Sequence, residues 1–541
     1  MRSARESAPS GAGASALEAA RPITDGALMA LIKAARHLTD IERALLDHGP
    51  FFRHMHVAAA LARLPEVQHP AANRRIRVGS VLRLLAGGLQ ATAARLDPHQ
   101  LSACLAAFGR LRMAPPAAAA LVCSLLCADG GAPLRKLHPW ELAEAAEALA
   151  ALQQEEEVLR AEAAAAAAAD AAGAAGADDD RLSIFRGGAA LNGAEGQPGT
   201  ALAASPGALP LGPPADGALA LEAFCGERGA GGATDALARV SPAAALWQLL
   251  ADAARPRLRS FPAADLAALT WALARSGRAS KRFMGDASSA ARAGPGRFDS
   301  DGVARMASAL AAAGHRDEFL LGALGREVAL RKAEFTVPQL AGILHAHADL
   351  AFYDPDAATA AAKAATRAGA LRRAPPAAAA SLVGALARLR HADEPLLLDF
   401  CKLAPQIAPD LPPDRLVDAL WAPLHLGHAS AKLEAAVPPL LAALAAQAER
   451  LAPGDAARAL WCCAVLEDGP GGGRGGDDRG SGGDGGALVW RLLGRLGAAR
   501  AADFSFEELR LLHQADRLLN NEWLQDGAGA ASSHAAAGSS G

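Results

Sequence analysis

Aromatic and β-branched aliphatic residues are scarce in this chain of 541 residues. Phenylalanine, tryptophan and tyrosine together make up 4% of it, and Tyr353 is the single tyrosine. Valine and isoleucine are sparse, whereas alanine and leucine dominate. Strands therefore have little to be built from, and helices are favoured. The composition predicts an all-α protein.

Cysteine is also rare, and its spacing does not suggest a disulfide framework. The chain holds seven cysteines, an odd number, and most of them lie in runs rich in alanine and leucine. A cysteine in such a run typically behaves as a small buried hydrophobic residue. Unpaired thiols are typical of a reducing compartment, which includes the interior of an organelle.

Common catalytic and metal-binding motifs are missing. There is no Gly-x-Ser-x-Gly elbow, no phosphate loop ending in Gly-Lys-Ser/Thr and no His-Glu-x-x-His pair. Close histidine pairs such as His54 and His56 are spaced i, i+2, so they do not face one ion from a helix. Cys123 and Cys127 have helical spacing, but no second pair follows them. We expect no enzyme activity, no cofactor and no metal site.

No run of 18 apolar residues is free of charges, so we expect no membrane span. Residues 1–22 hold three arginines and four serines, a composition that resembles an organelle transit peptide. Glu6 and Glu18 are atypical of such a leader, and an unstructured start is the alternative.

Charge is distributed unevenly along the chain, whose formal net charge is −3. Residues 151–240 hold 13 acidic and 5 basic side chains, and residues 467–486 hold 5 acidic and 2 basic ones. The remainder carries 47 basic and 39 acidic residues, a net charge of +8. A mildly basic remainder permits a nucleic-acid partner without requiring one.

One pattern recurs along the chain, and each copy opens with an apolar residue that we call the anchor. Successive anchors are 37–44 residues apart, except at two longer steps that contain low-complexity insertions. A fixed period near 38 residues is typical of a repeat architecture. The anchors are Phe52, Leu96, Leu137, Phe261, Phe298, Phe335, Ala374, Leu411, Leu451 and Phe504.

Within each repeat, apolar residues at positions +5, +8 and +12 after the anchor form one stripe on a helix. Proline follows the anchor closely, and a glycine at Gly109, Gly277, Gly314 or Gly427 predicts where this first helix ends. A second helix fills the rest of the repeat. The residues at +5 are Val57, Leu101, Leu142, Leu266, Val303, Leu340, Leu416 and Leu509.

We therefore predict an alpha solenoid of about ten helix–turn–helix repeats with disordered low-complexity insertions. Whether the first insertion separates two solenoids or loops out of one stays open. The predicted boundaries are 1–22 for a transit peptide, 23–155 for N-terminal repeats, 156–235 for an acidic linker, 236–468 for central repeats, 469–486 for a Gly-rich linker, 487–524 for the last repeat and 525–541 for a disordered tail.

The repeats resemble octotricopeptide repeats, a family with a period of 38 residues. Residues 266–277, Leu-Ala-Ala-Leu-Thr-Trp-Ala-Leu-Ala-Arg-Ser-Gly, are similar to that family's first helix, Leu-x-x-x-x-Trp-Ala-Leu-Ala-x-x-Gly. Residues 101–111 and 418–424 match it less fully. Residues 27–64 resemble the entry of the same proteins and of the related FAST-kinase-domain proteins.

The resemblance covers roughly residues 27–150 and 240–524, with two departures. The family's Pro-Pro-Pro-x-x-Trp signature is absent, and the repeats have only Pro-Pro pairs. The C-terminal RAP domain is not seen, because the sequence becomes rich in Gly, Ala and Ser soon after Trp523. This indicates that the domain is lost or that the gene model is truncated.

The resemblance implies an organellar factor that binds single-stranded RNA and acts in the processing, stability or translation of a transcript. A chloroplast location is expected, with the mitochondrion as the alternative, and protein partners would belong to a ribonucleoprotein complex. The alternative function is a HEAT-like scaffold for protein–protein interaction without RNA binding, which the near-neutral total charge favours.

Two repeat positions hold candidate RNA contacts. Trp271, Trp421 and Trp461 lie at +10 and could stack bases, although tryptophan flanked by alanine more often packs between helices. A basic residue recurs at +14, where it could contact phosphates or simply stabilise a helix C-terminus. Asp349 and Val465 interrupt this series. The basic residues at +14 are Arg110, Arg275, Arg388 and His425.

Overall fold

The computed structural model describes residues 23–69, 74–184 and 242–468, together with 492, 504–505, 508–515 and 517. Within these ranges the regular secondary structure is helical, apart from one isolated bridge between His37 and Gln68. The predicted all-α class is confirmed. The chain forms two compact units, Met1–Asp265 and Leu266–Gly541.

The helices are numbered in chain order. The first nine are α1 (Asp25–Ala34), α2 (Leu38–His48), α3 (His54–Arg63), α4 (Arg74–Thr92), α5 (Pro98–Leu111), α6 (Pro116–Leu126), α7 (Ala128–Lys136), α8 (Pro139–Ile184) and α9 (Pro242–Ala254). The next twelve are α10 (Ala263–Arg275), α11 (Lys281–Arg292), α12 (Ser300–Ala312), α13 (Glu318–Leu330), α14 (Val337–Asp349), α15 (Pro355–Thr366), α16 (Ala370–Arg373), α17 (Pro376–Arg388), α18 (Glu394–Ile407), α19 (Pro413–His425), α20 (Ala431–Gln447) and α21 (Pro453–Asp468).

Most of these helices pair into hairpins of a first helix, a short turn and a second helix, as predicted. In the described ranges there are nine such hairpins, and α21 is the first helix of a tenth. First helices contact first helices of adjacent hairpins, in the order α1, α3, α5, α8 in the first unit and α12, α14, α17, α19, α21 in the second. Second helices pack on second helices in the same way, for example α11, α13, α15, α18 and α20.

The anchors and the predicted apolar stripe form the interior of each unit. Phe261, Phe298 and Leu411 are each about 2% exposed, and a short 3-10 turn precedes each of them. The +5 residues are buried from Val57 to Leu416, which confirms the predicted stripe there. Leu509, however, is 42% exposed, so that part of the prediction is wrong. The buried residues in this last segment are Leu511 and Ala515, because the helix presents a different face.

First helices end at a residue of left-handed backbone conformation that lies 16 residues past the anchor. The next N–H then donates to the carbonyl at +12, over 2.8–3.2 Å, which satisfies an otherwise unpaired helix-end carbonyl. Gly109, predicted as such a stop, instead lies inside α5. The left-handed residues at +16 are Arg112, Gly277, Gly314, Ala351, Arg390 and Gly427.

The long insertion lies within one hairpin and not between hairpins. Helix α8 is the first helix of the repeat anchored at Leu137, and α9 is its second helix, which packs against α6, α7 and α8. Arg257 Nη1, just after α9, donates to the carbonyl of Leu137 over 2.8 Å. Residues 156–184 continue α8, where the sequence predicts a linker.

The described cysteines are unpaired, and burial raises the pKa of Cys104 and of Cys123 to about 12. Several predictions concern parts of the chain outside the described residues. These are the transit peptide (1–22), residues 185–235 of the acidic linker, the Gly-rich linker (469–486), most of the last repeat (487–524), the tail (525–541) and Cys225.

Candidate nucleic-acid interface

Positions +7, +10 and +14 lie on one face of each first helix, because they are three, four and seven residues apart. Side chains at these positions contact their equivalents on the next first helix. Asp349 at +14 accepts a hydrogen bond from Arg388 at +14 of the following repeat, over 2.6 Å. His425 at +14 contacts Trp461 at +10 in the same way. We call the surface formed by these three positions the first-helix strip.

In the second unit the first-helix strip is rich in arginine and aromatic residues. Its six repeats, anchored from Phe261 to Leu451, place three tryptophans and two histidines on it. Four of its residues are arginines and two are aspartates, a formal charge of +2. Aromatic rings beside cations are the side chains that bind single-stranded nucleic acid in general. The arginines are Arg275, Arg305, Arg388 and Arg458.

Trp271 and Arg275 share one end of this strip. They are four residues apart on α10, and the guanidinium carbon of Arg275 lies 5.4 Å from the centre of the Trp271 ring. Arg275 is exposed, and Trp271 is half-buried. A cation held over a ring at an exposed site contributes about 0.5–1 kcal/mol, so this pair is oriented without being locked.

Polar side chains link the middle of the strip. Nε2 of His345 lies 2.7 Å from the hydroxyl of Ser381, and its Nδ1 lies 3.4 Å from Nη1 of Arg388. Burial lowers the pKa of His345 below its ordinary value, so the ring is a neutral hydrogen-bonding group at pH 7. The Arg388 side chain is 38% exposed even though it is paired with Asp349.

At the other end of the strip, aromatic rings pack on one another. His425 stacks on Trp421 with ring centres 4.4 Å apart and planes inclined by 20°, and it meets Trp461 edge-on at 6.1 Å. The guanidinium of Arg458 also lies over Trp421, at 5.6 Å. Trp421 is only 3% exposed, so its ring packs in the interior, whereas Trp461 is half-buried and partly reaches solvent.

A buried carboxylate supports this aromatic end. Asp418 accepts hydrogen bonds from Nη1 of Arg415 over 2.6 Å and from Nη1 of Arg458 over 2.7 Å. Arg458 also pairs with Asp455 through its second terminal nitrogen. The Asp418 side chain is 4% exposed, so it acts by orienting the two arginines and not by contacting a ligand.

Beside the strip, a cleft of about 400 Å³ opens in the second unit. It lies at the hairpin turns, where the left-handed residue Arg390 projects. Its lining brings further cationic groups next to His425, the type of side chain that contacts phosphate. The residues that line it are Arg390, Ala392, His425, Leu426 and Arg510.

In the first unit the equivalent surface has a different charge. Nη2 of Arg110 donates to Oε1 of Glu144 over 2.6 Å. Glu144, Glu147 and Arg112 line the same cleft of about 280 Å³ as Arg110, so positive and negative charges balance there. Arg110 therefore lies in surroundings unlike those of Arg275 and Arg388.

The structure brings together part of the predicted site. Arg275 lies with Trp271, and His425 lies with Trp421 and Trp461. Asp349, which interrupts the predicted basic series, is the ion-pair partner of Arg388. Sequence reasoning missed the residues at +7, of which Arg458 and Asp418 are examples, although their helical spacing from the tryptophans was a usable signal.

The chain matches no protein-family model and no curated protein. The resemblance to octotricopeptide repeats therefore remains a prediction. Among the described residues no single helix is long and apolar enough to cross a membrane; α6 and α7 reach that length only together, across an 83° bend.

Proposed function

We propose that the hairpins form an alpha solenoid of the octotricopeptide type, and that its second unit binds single-stranded RNA along the first-helix strip. The observation that carries the proposal is the co-location of three tryptophans, two histidines and four arginines on that strip. Exposed arginines would contact phosphates, and rings that reach solvent would stack on bases. The role would be post-transcriptional control of an organelle transcript, without enzyme activity.

Within this proposal, Arg275 and Arg388 are the backbone contacts and His425 lies beside them at the arginine-lined cleft. Trp271 and Trp461 are the stacking candidates, because both are half-buried. Trp421 supports them from the interior. Arg110 is left out, because its neighbours Glu144 and Glu147 would repel a phosphate.

The test is binding of the full chain to labelled single-stranded RNA, measured by fluorescence anisotropy over a series of salt concentrations. Affinity should fall with salt, and Arg275→Gln and Arg388→Gln should each reduce the log–log salt slope by about 0.7. The matched control is Arg326→Gln, which removes an exposed arginine from the second helix α13. No binding at low salt, or an equal effect of the control, would overturn the proposal.

The stacking role has its own test. Trp461→Ala should weaken RNA binding by about 1–3 kcal/mol if the ring stacks on a base. Trp461→Phe keeps a ring and should restore most of the affinity. Phe319→Ala, which removes a ring that is 79% exposed on α13, is the control and should leave affinity unchanged. A Trp461→Ala protein with native circular dichroism and wild-type affinity would remove Trp461 from the site.

A HEAT-like protein-interaction scaffold is the second candidate. The ion pairs Arg110–Glu144 and Arg388–Asp349 favour it, because paired charges present both donors and acceptors to a polar partner. Absence of RNA binding would leave this function as the better one.

The location is proposed to be the chloroplast, with the mitochondrion as the alternative. Residues 1–22 fused to a fluorescent protein should direct it to an organelle. A fusion that stays in the cytosol would contradict the transit peptide.

A further inference from the structure

Two histidines and a glutamate meet in the first unit, at the N-terminal ends of two adjacent first helices. His99 is the second residue of α5, His138 immediately precedes α8, and Glu141 lies in the first turn of α8. The three residues are 39–42 positions apart where they cross from one repeat to the next. The packing of α5 on α8 therefore creates the cluster, and no local motif predicts it.

The carboxylate of Glu141 is held in place from several directions. Its residue is 5% exposed, and the backbone N–H of His138 donates to its Oε2 over 2.7 Å. Nδ1 of His99 lies 2.8 Å from both carboxylate oxygens. The hydroxyl of Ser102, one turn further along α5, donates to the backbone carbonyl of Glu141 over 3.3 Å.

The two imidazoles face the same space and are open to solvent. Their ring centres are 5.5 Å apart, and one ligating atom from each of the three residues lies within 4.8 Å of the other two. A tetrahedral zinc ion with bonds of about 2.0–2.1 Å separates its ligand atoms by about 3.4 Å. Rotation of the exposed imidazoles is sufficient to reach that spacing around a fixed carboxylate.

We propose that His99, His138 and Glu141 bind a divalent transition metal ion, with zinc as the preferred class. Two imidazoles and one carboxylate are a known zinc donor set that leaves a fourth position for water. The metal ion would join the ends of α5 and α8, and so would clamp two consecutive repeats together. It lies apart from the RNA contacts proposed above, which belong to the second unit.

The same geometry without a metal is an ion pair between protonated His99 and Glu141. This alternative makes a different prediction, because it needs no metal and leaves His138 without a role. The experiment therefore compares all three side chains.

The test uses the full chain, stripped of metal with a chelator and titrated with Co²⁺ as a spectroscopic probe. A tetrahedral site gives visible d–d absorption that saturates at one equivalent and is displaced by Zn²⁺. The absence of a sulfur-to-cobalt charge-transfer band excludes the cysteines as ligands. Trp140, which stacks on His138 and is 50% exposed, should be quenched by Co²⁺ in the same titration.

Three variants test the ligands, namely His99→Asn, His138→Asn and Glu141→Gln. Each should weaken Co²⁺ binding at least tenfold and abolish the rise in unfolding temperature that Zn²⁺ produces in the wild-type protein. The control is His315→Asn, a partly exposed histidine in the second unit, which should bind as the wild type does.

Because His99 and His138 are exposed, their substitution leaves the core intact, which circular dichroism of the variants would verify. Failure to saturate at one equivalent, or a His138→Asn protein that binds Co²⁺ like the control, would overturn the metal site. Loss of stability in His99→Asn and Glu141→Gln alone, independent of metal, would identify the ion pair instead.

Discussion

Gly109 lies so close to Ala148 that a Cβ atom placed on Gly109 would be 2.3 Å from the Cα of Ala148. The two residues belong to α5 and α8, adjacent first helices of the first unit. This contact is between backbones, so neither side can move away by a change of rotamer. The glycine thus sets how closely two repeats approach.

We expect Gly109→Ala to lower the free energy of unfolding by about 1–3 kcal/mol, because overpacking forces the helices apart. Urea denaturation would measure it. The matched control is Gly87→Ala inside α4, where an added Cβ meets nothing within 4 Å. That change should stabilise by about 0.5–1 kcal/mol. Equal effects of the two substitutions would contradict the close approach.

Ala351 offers the opposite change at a first-helix stop. It has a φ of 50° at the +16 position, where three other repeats have glycine. We expect Ala351→Gly to raise the free energy of unfolding by about 1 kcal/mol, because glycine carries no penalty there. Ala312→Gly, at an exposed helical position, should instead cost about 1 kcal/mol. The prediction fails if both variants are destabilised alike.

Asp418 is the buried centre of a charge network. Asp418→Asn should destabilise the protein by about 3 kcal/mol, because Arg415 and Arg458 would lose the carboxylate that compensates their charges. The comparison is Asp399→Asn, whose pair with Lys402 is exposed on both sides and should cost less than about 0.5 kcal/mol. A small loss for Asp418→Asn would show that water reaches this network.

His347 should make stability depend on pH. Burial lowers its pKa to about 4 in the folded protein, against 6.5 for an ordinary histidine, and neither ring nitrogen has a hydrogen-bond partner. The unfolded chain therefore binds this proton first as the pH falls. Its contribution to stability is complete above about pH 6.5 and is lost as the pH falls towards 4.

Urea denaturation at pH 7 and pH 5 would measure this dependence. His347→Leu should remove about 2 kcal/mol of the acid-induced loss seen in the wild-type protein. His315→Leu, at a partly exposed site, should keep that loss. An unchanged pH dependence in His347→Leu would place the acid-sensitive group elsewhere.

Much of the fold could be predicted because the repeats follow local rules. The helix Glu318–Leu330 has the bounds that the apolar pattern predicts, and the stripe from Val57 to Leu416 is buried as expected. Gly109 was misassigned, because a glycine near a helix end serves equally as a stop or as a contact point. Only the neighbouring helix, through Ala148, distinguishes the two.

The candidate site was harder to predict, because it depends on contacts between repeats. The period places Trp421 and Trp461 at equivalent positions, yet the first is buried beneath His425 and Arg458 while the second reaches solvent. Likewise, Asp349 was taken as an interruption of the basic series, although it holds Arg388. Which side chain covers which is a property of two helices together.

The placement of the insertion between α8 and α9 also has a consequence for how this chain can change. Both helices are fixed within the same unit, and Arg257 closes the hairpin on Leu137. The length of residues 185–241 can then vary without shifting any later anchor relative to its neighbours. Sequence comparison that counts along the chain loses phase at this point, whereas one that counts from anchor to anchor keeps it. A permissive site for inserted sequence thus lies within a single hairpin of the first unit.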